Sequence, residues 1–477
     1  MKPSFPVRIY LIALALRLIP VLLTRGLGIG LDDMFQYDML ARSLASGNGF
    51  RWYAQADLNQ LAPYVDFDLS TIKEYDPAIG IAASFRAPLY PAFLAVVYFF
   101  SGTGFARFFA ARLAQAIFLS APLAPLTYLT ASHLFADRRI PELAAWIVAA
   151  YPMLIIYPLG LGTENLFFVL LLLSVLFLLK SIEKTSIPNL LLSGIFLGLT
   201  ALTRSVILPF AALASLYLFY IHRRRALLVL LSFIIVITPW MIRNSLLHHK
   251  LTGIETSMGY NLYLGYYPDS DGSFIFGPSL DLLSILDDAQ RDQVGTQKAL
   301  GFIRAQPERF IPLAINRLGF FFGLEKRVLM YFYSNNIVGF IPKPLLLIIS
   351  AIFLLPFIFV SIFAALGLSL IQWKPNSLLI VLLFAAYILP HILILSEDRF
   401  HLALIPYLAI LAAQFWVNGK RGLITRWQES STGKIAIILA VCAVILLFTN
   451  WGIELFRDAD KISQLLAPNG NQTYFPY

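Results

Sequence analysis

Apolar runs of about 20 residues recur from one end of this chain to the other, each long enough to cross a ~30 Å hydrocarbon core. Inside hydrocarbon every backbone N–H and C=O must be satisfied within the protein, so only helices or a closed barrel can span it. Barrel strands alternate apolar and polar residues over about ten positions; these runs are continuous. The expectation is an all-α polytopic membrane protein. Composition agrees: of 477 residues 58% are hydrophobic and only 13% charged, where a soluble domain carries about 25%.

Charge orients the spans. Expected helices cover about 8–29, 107–134, 141–158, 164–180, 188–203, 206–221, 226–242, 344–371, 377–395, 402–417 and 434–451, about eleven in all with bounds of 10–13. The loops that follow every second span are basic: Asp137-Arg138-Arg139, Lys180 to Lys184, His222-Arg223-Arg224-Arg225, Trp373-Lys374 and Lys420-Arg421. By the positive-inside rule these face the cytoplasm, with Lys2 and Arg8. Residues 31–86 and 245–340 then form two long outer segments, after the first and seventh spans. The first holds eight Asp/Glu, with three Lys/Arg besides Arg86. Residues 87–101 are apolar but short, so they are read as an interfacial or re-entrant helix; were they to cross, Arg223–Arg225 would face outward. Residues 287–318 read as amphipathic helix on the membrane surface, Ile254–Gly272 as a structured Gly/Tyr loop, and 453–477 as an outer tail to a transmembrane domain over 1–452.

Other readings narrow the class. Arg17 interrupts the first apolar run and no small-residue cleavage site follows, so this helix is expected to stay uncleaved; what Arg17 pairs with is open. The net charge of +9 lies in loops, without the basic-aromatic stripe of a nucleic-acid binder. Cys442 stands alone, which leaves no intramolecular disulfide and no cysteine metal site. No phosphate-binding Gly-rich loop and no internal repeat occur. The six histidines form no metal pattern, and the adjacent His248-His249 point to different sides of most backbones. Asn471-Gln472-Thr473 fits a glycosylation tripeptide.

Ionisable groups at a membrane edge need a reason. Asp32, Asp33, Asp38, Arg86, Glu164, Arg204, Arg243 and Glu397-Asp398-Arg399 are scattered along the sequence, yet the expected topology puts all of them at the outer face. A helix from Asp33 sets Asp33, Tyr37, Leu40 and Leu44 on one side. Each group has an ordinary explanation beside it: Glu164 as a favourable charge at a helix N-terminus, Arg204 and Arg243 as interfacial anchors, Asp32 or Asp38 as a cap or a solvated charge. Their convergence points to a single site, with Asp33 as a general base.

In this order the elements resemble the GT-C superfamily of membrane glycosyltransferases, in particular the bacterial branch similar to protein O-mannosyltransferases and the lipid A aminoarabinose transferase. Asp33 and Tyr37 match that family's Asp-Glu-x-x-Tyr pattern, although Met34 stands at the second acid and Asp32 precedes it. Ala41, Leu44, Gly47, Gly49 and Phe50 match the element that follows, and Arg86-Ala87-Pro88-Leu89-Tyr90-Pro91 a basic-x-Pro-x-Tyr-Pro element. Thr163-Glu164-Asn165, Pro239-Trp240, Arg243-Asn244 and Glu397-x-Arg399-Phe400 complete a likeness covering about residues 8–417. Where the aminoarabinose transferase carries a glutamate metal ligand this chain has Phe85, and no clear ligand set for a divalent metal is present. The resemblance implies a GT-C-type bundle in a bacterial cytoplasmic membrane, with an inverting transfer at its outer face. The donor would be a sugar on a polyprenyl phosphate and the acceptor a lipid, glycan or protein. Asp33, with Glu164 and Asp32, would carry the chemistry. Arg86, Arg399, Arg204 and Arg243 would meet the donor phosphate, and Tyr37 and Tyr90 would position substrate. The alternative from another class is a transporter or flippase for a lipid-linked anion.

Overall fold

The computed structural model describes residues 4–67, 69, 72, 75–326 and 341–467; the tripeptide at 471–473 and the end of the expected tail, 468–477, lie outside the described residues. The chain is nearly all helix. The first span, α1 (Phe5–Leu23), stops short of its expected end because Gly26, Gly28 and Gly30 favour an irregular exit. The short helices α2 (Asp33–Ala45) and α3 (Gln55–Leu61) follow. A two-stranded antiparallel ribbon pairs β1 (Arg51–Trp52) with β2 (Ile81–Ala82), in the register Arg51 to Ala82 and Trp52 to Ile81. The next helix, α4 (Leu89–Ser101), has 13 residues, about 20 Å at 1.5 Å per residue, too short to cross.

The bundle continues with α5 (Ala106–Ser132) and a pair bent by 55°, α6 (Arg139–Ala150) and α7 (Pro152–Leu159). Then come α8 (Thr163–Glu183), α9 (Ile187–Ala201), α10 (Leu208–His222) and α11 (Leu227–His248). The second outer segment contains α12 (Met258–Tyr266), α13 (Phe276–Asp281), α14 (Asp288–Ala305) and α15 (Phe310–Phe321). Four long helices close the bundle: α16 (Lys343–Ser369), α17 (Pro375–Leu393), α18 (Ile405–Glu429) and α19 (Ser431–Arg457). A 3-10 turn over Asp398–Leu404 leads into α18, and the short α20 (Ala459–Leu466) ends the described chain.

Among the described residues eight helical stretches are long and apolar enough to cross a membrane, nine if the bent pair counts as one span. The expected count of eleven differs from this in two places. With 15 residues α9 falls below spanning length. Residues 205–248 form one apolar stretch, but the chain reverses within it at Arg223, whose φ is 54°. The reversal follows from packing. Gly194 of α9 lies against Val229 and Ser232, and Gly198 against Phe233 and Val236, so α9 and α11 run parallel and α10 must run back between their ends. This is small-xxx-small contact, where a side chain on either glycine would collide with α11.

Burial separates core from lipid-facing helices. The spans containing α8 and α18 are 72% and 83% buried, whereas that of α19 is 11% buried. The peripheral helices α1, α11, α16 and α19 turn Leu, Ile and Phe outward. Arg17, whose partner the sequence left open, is fully buried and explains the bend between α6 and α7. Pro152 has no N–H to offer the carbonyl four residues back. Arg17 donates to Val148 O at 3.1 Å and Ala149 O at 2.9 Å instead, and to Ser120 Oγ at 2.7 Å.

Candidate active site

Local capping starts the site. Asp32 Oδ1 accepts the Met34 N–H at 2.8 Å, which fixes the N-terminus of α2 and places Asp33 in its first turn. The Asp33 carboxylate stands between two guanidiniums. Arg86 donates from Nη2 to Asp33 Oδ1, and Arg399 from Nη2 to Asp33 Oδ2 at 3.4 Å. Arg86 is steadied from three sides: its Nε donates to Gln36 Oε1 at 2.8 Å, and its charge lies over the rings of Tyr37 at 5.2 Å and Phe85 at 5.1 Å. Arg399 Nε lies 2.7 Å from Glu397 Oε2. Beside them Arg204 Nη1 donates to Glu164 Oε1 at 2.5 Å, and Arg204 sits 5.3 Å from the centre of the Phe400 ring. Tyr157, at the end of α7, interacts electrostatically with Glu164, Arg399 and Arg204.

Five of the expected residues (Asp33, Arg86, Glu164, Arg204 and Arg399) therefore meet at one end of the bundle, with Tyr37 supporting them. Burial alone would raise the Asp33 carboxyl, but Arg86 and then Arg399 outweigh it and hold the group at about 2. The Arg86 guanidinium moves up for the complementary reason: burial opposes the charge and Asp33 more than restores it. Burial pushes the Tyr37 phenol up to about 12, so it remains a hydrogen-bond donor across the physiological range. The Asp33 side chain keeps 38% of its surface exposed, as a group that meets a ligand must.

Three expected residues are placed in structural work. Asp32 is the cap just described. Arg243 donates to Ala83 O at 2.5 Å and to Phe50 O at 3.3 Å, with its charge over Trp240; it binds the β1–β2 ribbon rather than facing the carboxylates. Tyr90 is fully buried, donates to Gln115 Oε1 at 2.7 Å and packs edge-on to Tyr37, so its hydroxyl is directed into the protein. Asp38 is buried between Arg42 and Arg107 and accepts from Tyr98 at 3.0 Å, which ties α2 to α4 and α5.

Gln36 was missing from the expected site residues, and Glu397 was expected at the mouth without a role of its own. Gln36 was readable in principle, being one turn after Asp33 on the same face. Glu397 lies in the acidic-basic landmark that supplied Arg399. Among the described residues no three His, Cys, Asp or Glu side chains gather as a metal-ligand set. Phe85, just ahead of Arg86, packs against Trp52 and Tyr260 at 5.7 and 5.4 Å between ring centres and offers no lone pair. A cavity of about 460 Å³ lined by His133, Glu183, Lys374 and Asn376 lies at the other end of α8, about 28 Å from Glu164 at 1.5 Å per residue.

No family model and no curated protein sequence matches the chain. The fold is similar to that of the archaeal oligosaccharyltransferase AglB from Archaeoglobus fulgidus, solved with an inhibitory peptide and a dolichol-phosphate. That similarity covers 99% of this chain at 14% identity, with a TM-score of 0.47, and the chain spans 59% of the length of that protein. It is also similar to ArnT from Cupriavidus metallidurans bound to undecaprenyl phosphate, over 93% of this chain and 88% of the other, at 12% identity and a TM-score of 0.39.

Proposed function

We propose that this chain is an inverting glycosyltransferase that moves a sugar from a polyprenyl-phosphate donor to a hydroxyl or amine acceptor. The supporting observation is the Asp33 carboxylate held between Arg86 and Arg399, partly exposed at the mouth of an apolar bundle. The pairing provides both halves of the reaction. A guanidinium binds phosphate oxygens as readily as carboxylate oxygens, so a lipid phosphate entering the mouth competes with Asp33 for both arginines. Once they turn to the phosphate, the pull that held the Asp33 carboxyl down is released and the carboxylate regains ordinary basicity.

The acceptor oxygen or nitrogen then attacks the anomeric carbon from the face opposite the phosphate. Asp33 takes the acceptor's proton, the bond from carbon to phosphate oxygen breaks, and the sugar inverts. The departing polyprenyl phosphate leaves as an anion and needs no general acid, unlike the alkoxide of glycoside hydrolysis. Arg86 and Arg399 stabilise the charge that grows on it. Glu164, locked to Arg204, is assigned to orienting acceptor or sugar. The apolar face of α4, with Val96, Phe99 and Phe100 exposed, is assigned to the prenyl chain. Phe85 gives a metal no ligand beside Arg86. The basic loops at Arg138-Arg139, Arg223–Arg225 and Lys420-Arg421 support a cytoplasmic N-terminus and an extracytoplasmic site in a bacterial inner membrane.

The test is Asp33→Asn in membranes supplied with labelled polyprenyl-phosphate sugars. Removing a general base costs about 10²–10⁴-fold in rate, so transfer is expected to fall by that factor while lipid-phosphate binding persists. Unchanged transfer would remove Asp33 from the chemistry. Movement of the labelled lipid across liposome membranes with no product formed would establish the transporter reading in its place.

A further inference from the structure

We infer that Asp288, in the second outer segment, is a positioning residue for Arg86, clamping the backbone that presents it. Two aspartates begin α14, and only one is needed there as a cap. Asp287 Oδ1 accepts the N–H groups of Ala289 and Gln290 at 2.9 and 2.8 Å. Asp288 turns its carboxylate elsewhere, to a loop 204 residues earlier in the chain. Its Oδ2 accepts the backbone N–H of Ser84 at 2.7 Å and of Phe85 at 3.0 Å. These are the two residues directly before Arg86. The carboxylate is 2% exposed, and a buried carboxylate is costly unless paired and fully hydrogen-bonded. Arg291 Nη1 supplies the pairing at Oδ1, at 3.1 Å.

Other contacts complete the clamp. Arg291 is itself fully buried, donates to the carbonyls of Leu282 and Ile285, and stands over the rings of Trp52 and Phe85 at 5.7 and 5.2 Å. The Thr256 N–H donates to Ser84 O at 3.0 Å, Ser84 Oγ meets His248 Nε2 at 2.7 Å, and Arg243 donates to Ala83 O. From residue 83 to residue 85 the backbone is thus held on both its donor and its acceptor sides. Charge-assisted bonds to two adjacent N–H groups are stronger than neutral ones. Arg86 therefore exchanges partners by turning its side chain while its Cα stays in place. The consequence for the donor rests on the proposed role of Arg86 as its phosphate ligand; the clamp itself does not.

The experiment has two arms on the purified full-length protein, as wild type, Asp288→Ala, Asp288→Asn, Arg86→Ala and the double variant Asp288→Ala with Arg86→Ala. In the first, each is titrated with farnesyl phosphate. Asp288→Ala is expected to weaken binding by about 10-fold, the scale of lost support behind a binding group, but by under about 2-fold once Arg86 is gone. In the second, Asp33 is labelled with a water-soluble carbodiimide and counted by mass spectrometry without any lipid. Labelling is expected to rise in Asp288→Ala toward the Arg86→Ala level. Asp288→Asn is expected between the two, since its amide oxygen still accepts both N–H groups, and it carries the same comparison should the alanine variant fail to fold. Equal loss of binding in both backgrounds, or Asp33 labelling that ignores residue 288, overturns the inference. A wild type that binds no lipid phosphate overturns the functional reading instead, and the labelling arm still decides the clamp.

Discussion

Two of the groups of arginines in this protein are set apart by their partners. In the protein interior Arg17, within α1, donates to the carbonyls of Ala13, Val148 and Ala149, and Arg317, on α15 of the second outer segment, donates to those of Gly265, Ile392 and Leu393. Both are fully buried. Apart from Ala13, one turn before Arg17 on α1, the acceptors lie where helices break or end and carbonyls lose their partners. At the mouth, Arg86, Arg204 and Arg399 are bound to carboxylates and keep 19%, 20% and 33% of their side chains exposed. A guanidinium on helix-end carbonyls cannot leave without orphaning several buried groups. One on the partly exposed Asp33 carboxylate, as Arg86 and Arg399 are, can exchange it for another oxyanion. Charge scarcity alone does not separate structure from function here; partner type and exposure do.

Substitution in the interior group gives the largest expected effect. Arg17→Leu strips the Val148 and Ala149 carbonyls and Ser120 of their donor, and each buried group left unpaired costs roughly 1–3 kcal/mol. Thermal unfolding in detergent is expected to move down by several degrees, while any folded fraction retains its affinity for lipid phosphate. Selective loss of affinity at unchanged stability would break the comparison.

At the mouth the expected pattern reverses. Arg399→Ala is expected to lower prenyl-phosphate affinity by about 10- to 100-fold, the scale of one charged hydrogen-bond partner, with thermal unfolding falling less than in Arg17→Leu because the buried Glu397 loses one ion pair. Arg243→Ala sharpens the division: it belongs with the carbonyl-bound arginines, so the unfolding temperature is expected to fall, with affinity following only as far as the ribbon ahead of Arg86 loosens. Direct loss of phosphate affinity matching Arg399→Ala would return Arg243 to the site.

Sequence reading found the mouth group and missed most of the interior one, for a physical reason. Asp33, Arg86, Glu164, Arg204 and Arg399 are conspicuous because ionisable residues at a membrane edge are rare, and loop charges placed them on one face. Arg243 and Tyr90 carried the same signals. What separates them is a bond to a backbone carbonyl or to Gln115, which leaves no mark on sequence periodicity. The same holds for Asp288: beside Asp287 it reads as a second capping charge, and the two N–H donors that it accepts from, on Ser84 and Phe85, lie 204 and 203 residues away. The helices themselves were legible because length and apolarity decide them. The reversal at Arg223 and the short α9 blurred the count, since a 15-residue helix packed through Gly194 and Gly198 needs partners rather than length.

The smallest effect tests the exchange itself. With Arg86 and Arg399 in place, the Asp33 carboxyl sits at about 2, below the ordinary value of about 3.9. Its folded value is depressed, so its contribution to stability is fully present above about pH 4 and is lost as pH falls through about 2. On the proposed exchange, binding of a prenyl-phosphate sugar, a phosphodiester with no second proton to exchange near pH 6, removes both cations from Asp33 and lets the carboxyl return toward its ordinary value. Free protein at pH 4 is then almost wholly ionised at this residue, and the complex is roughly 0.4 protonated. Binding at pH 4 is expected to take up about that fraction of a proton, and at pH 7 almost none. Titration calorimetry in buffers of different ionisation heat reads the uptake directly, and Asp33→Asn should abolish it. Uptake that is absent in the wild type, or that survives in Asp33→Asn, would mean that the arginines bind phosphate without letting go of Asp33, and the mouth group would then be as fixed as the interior one.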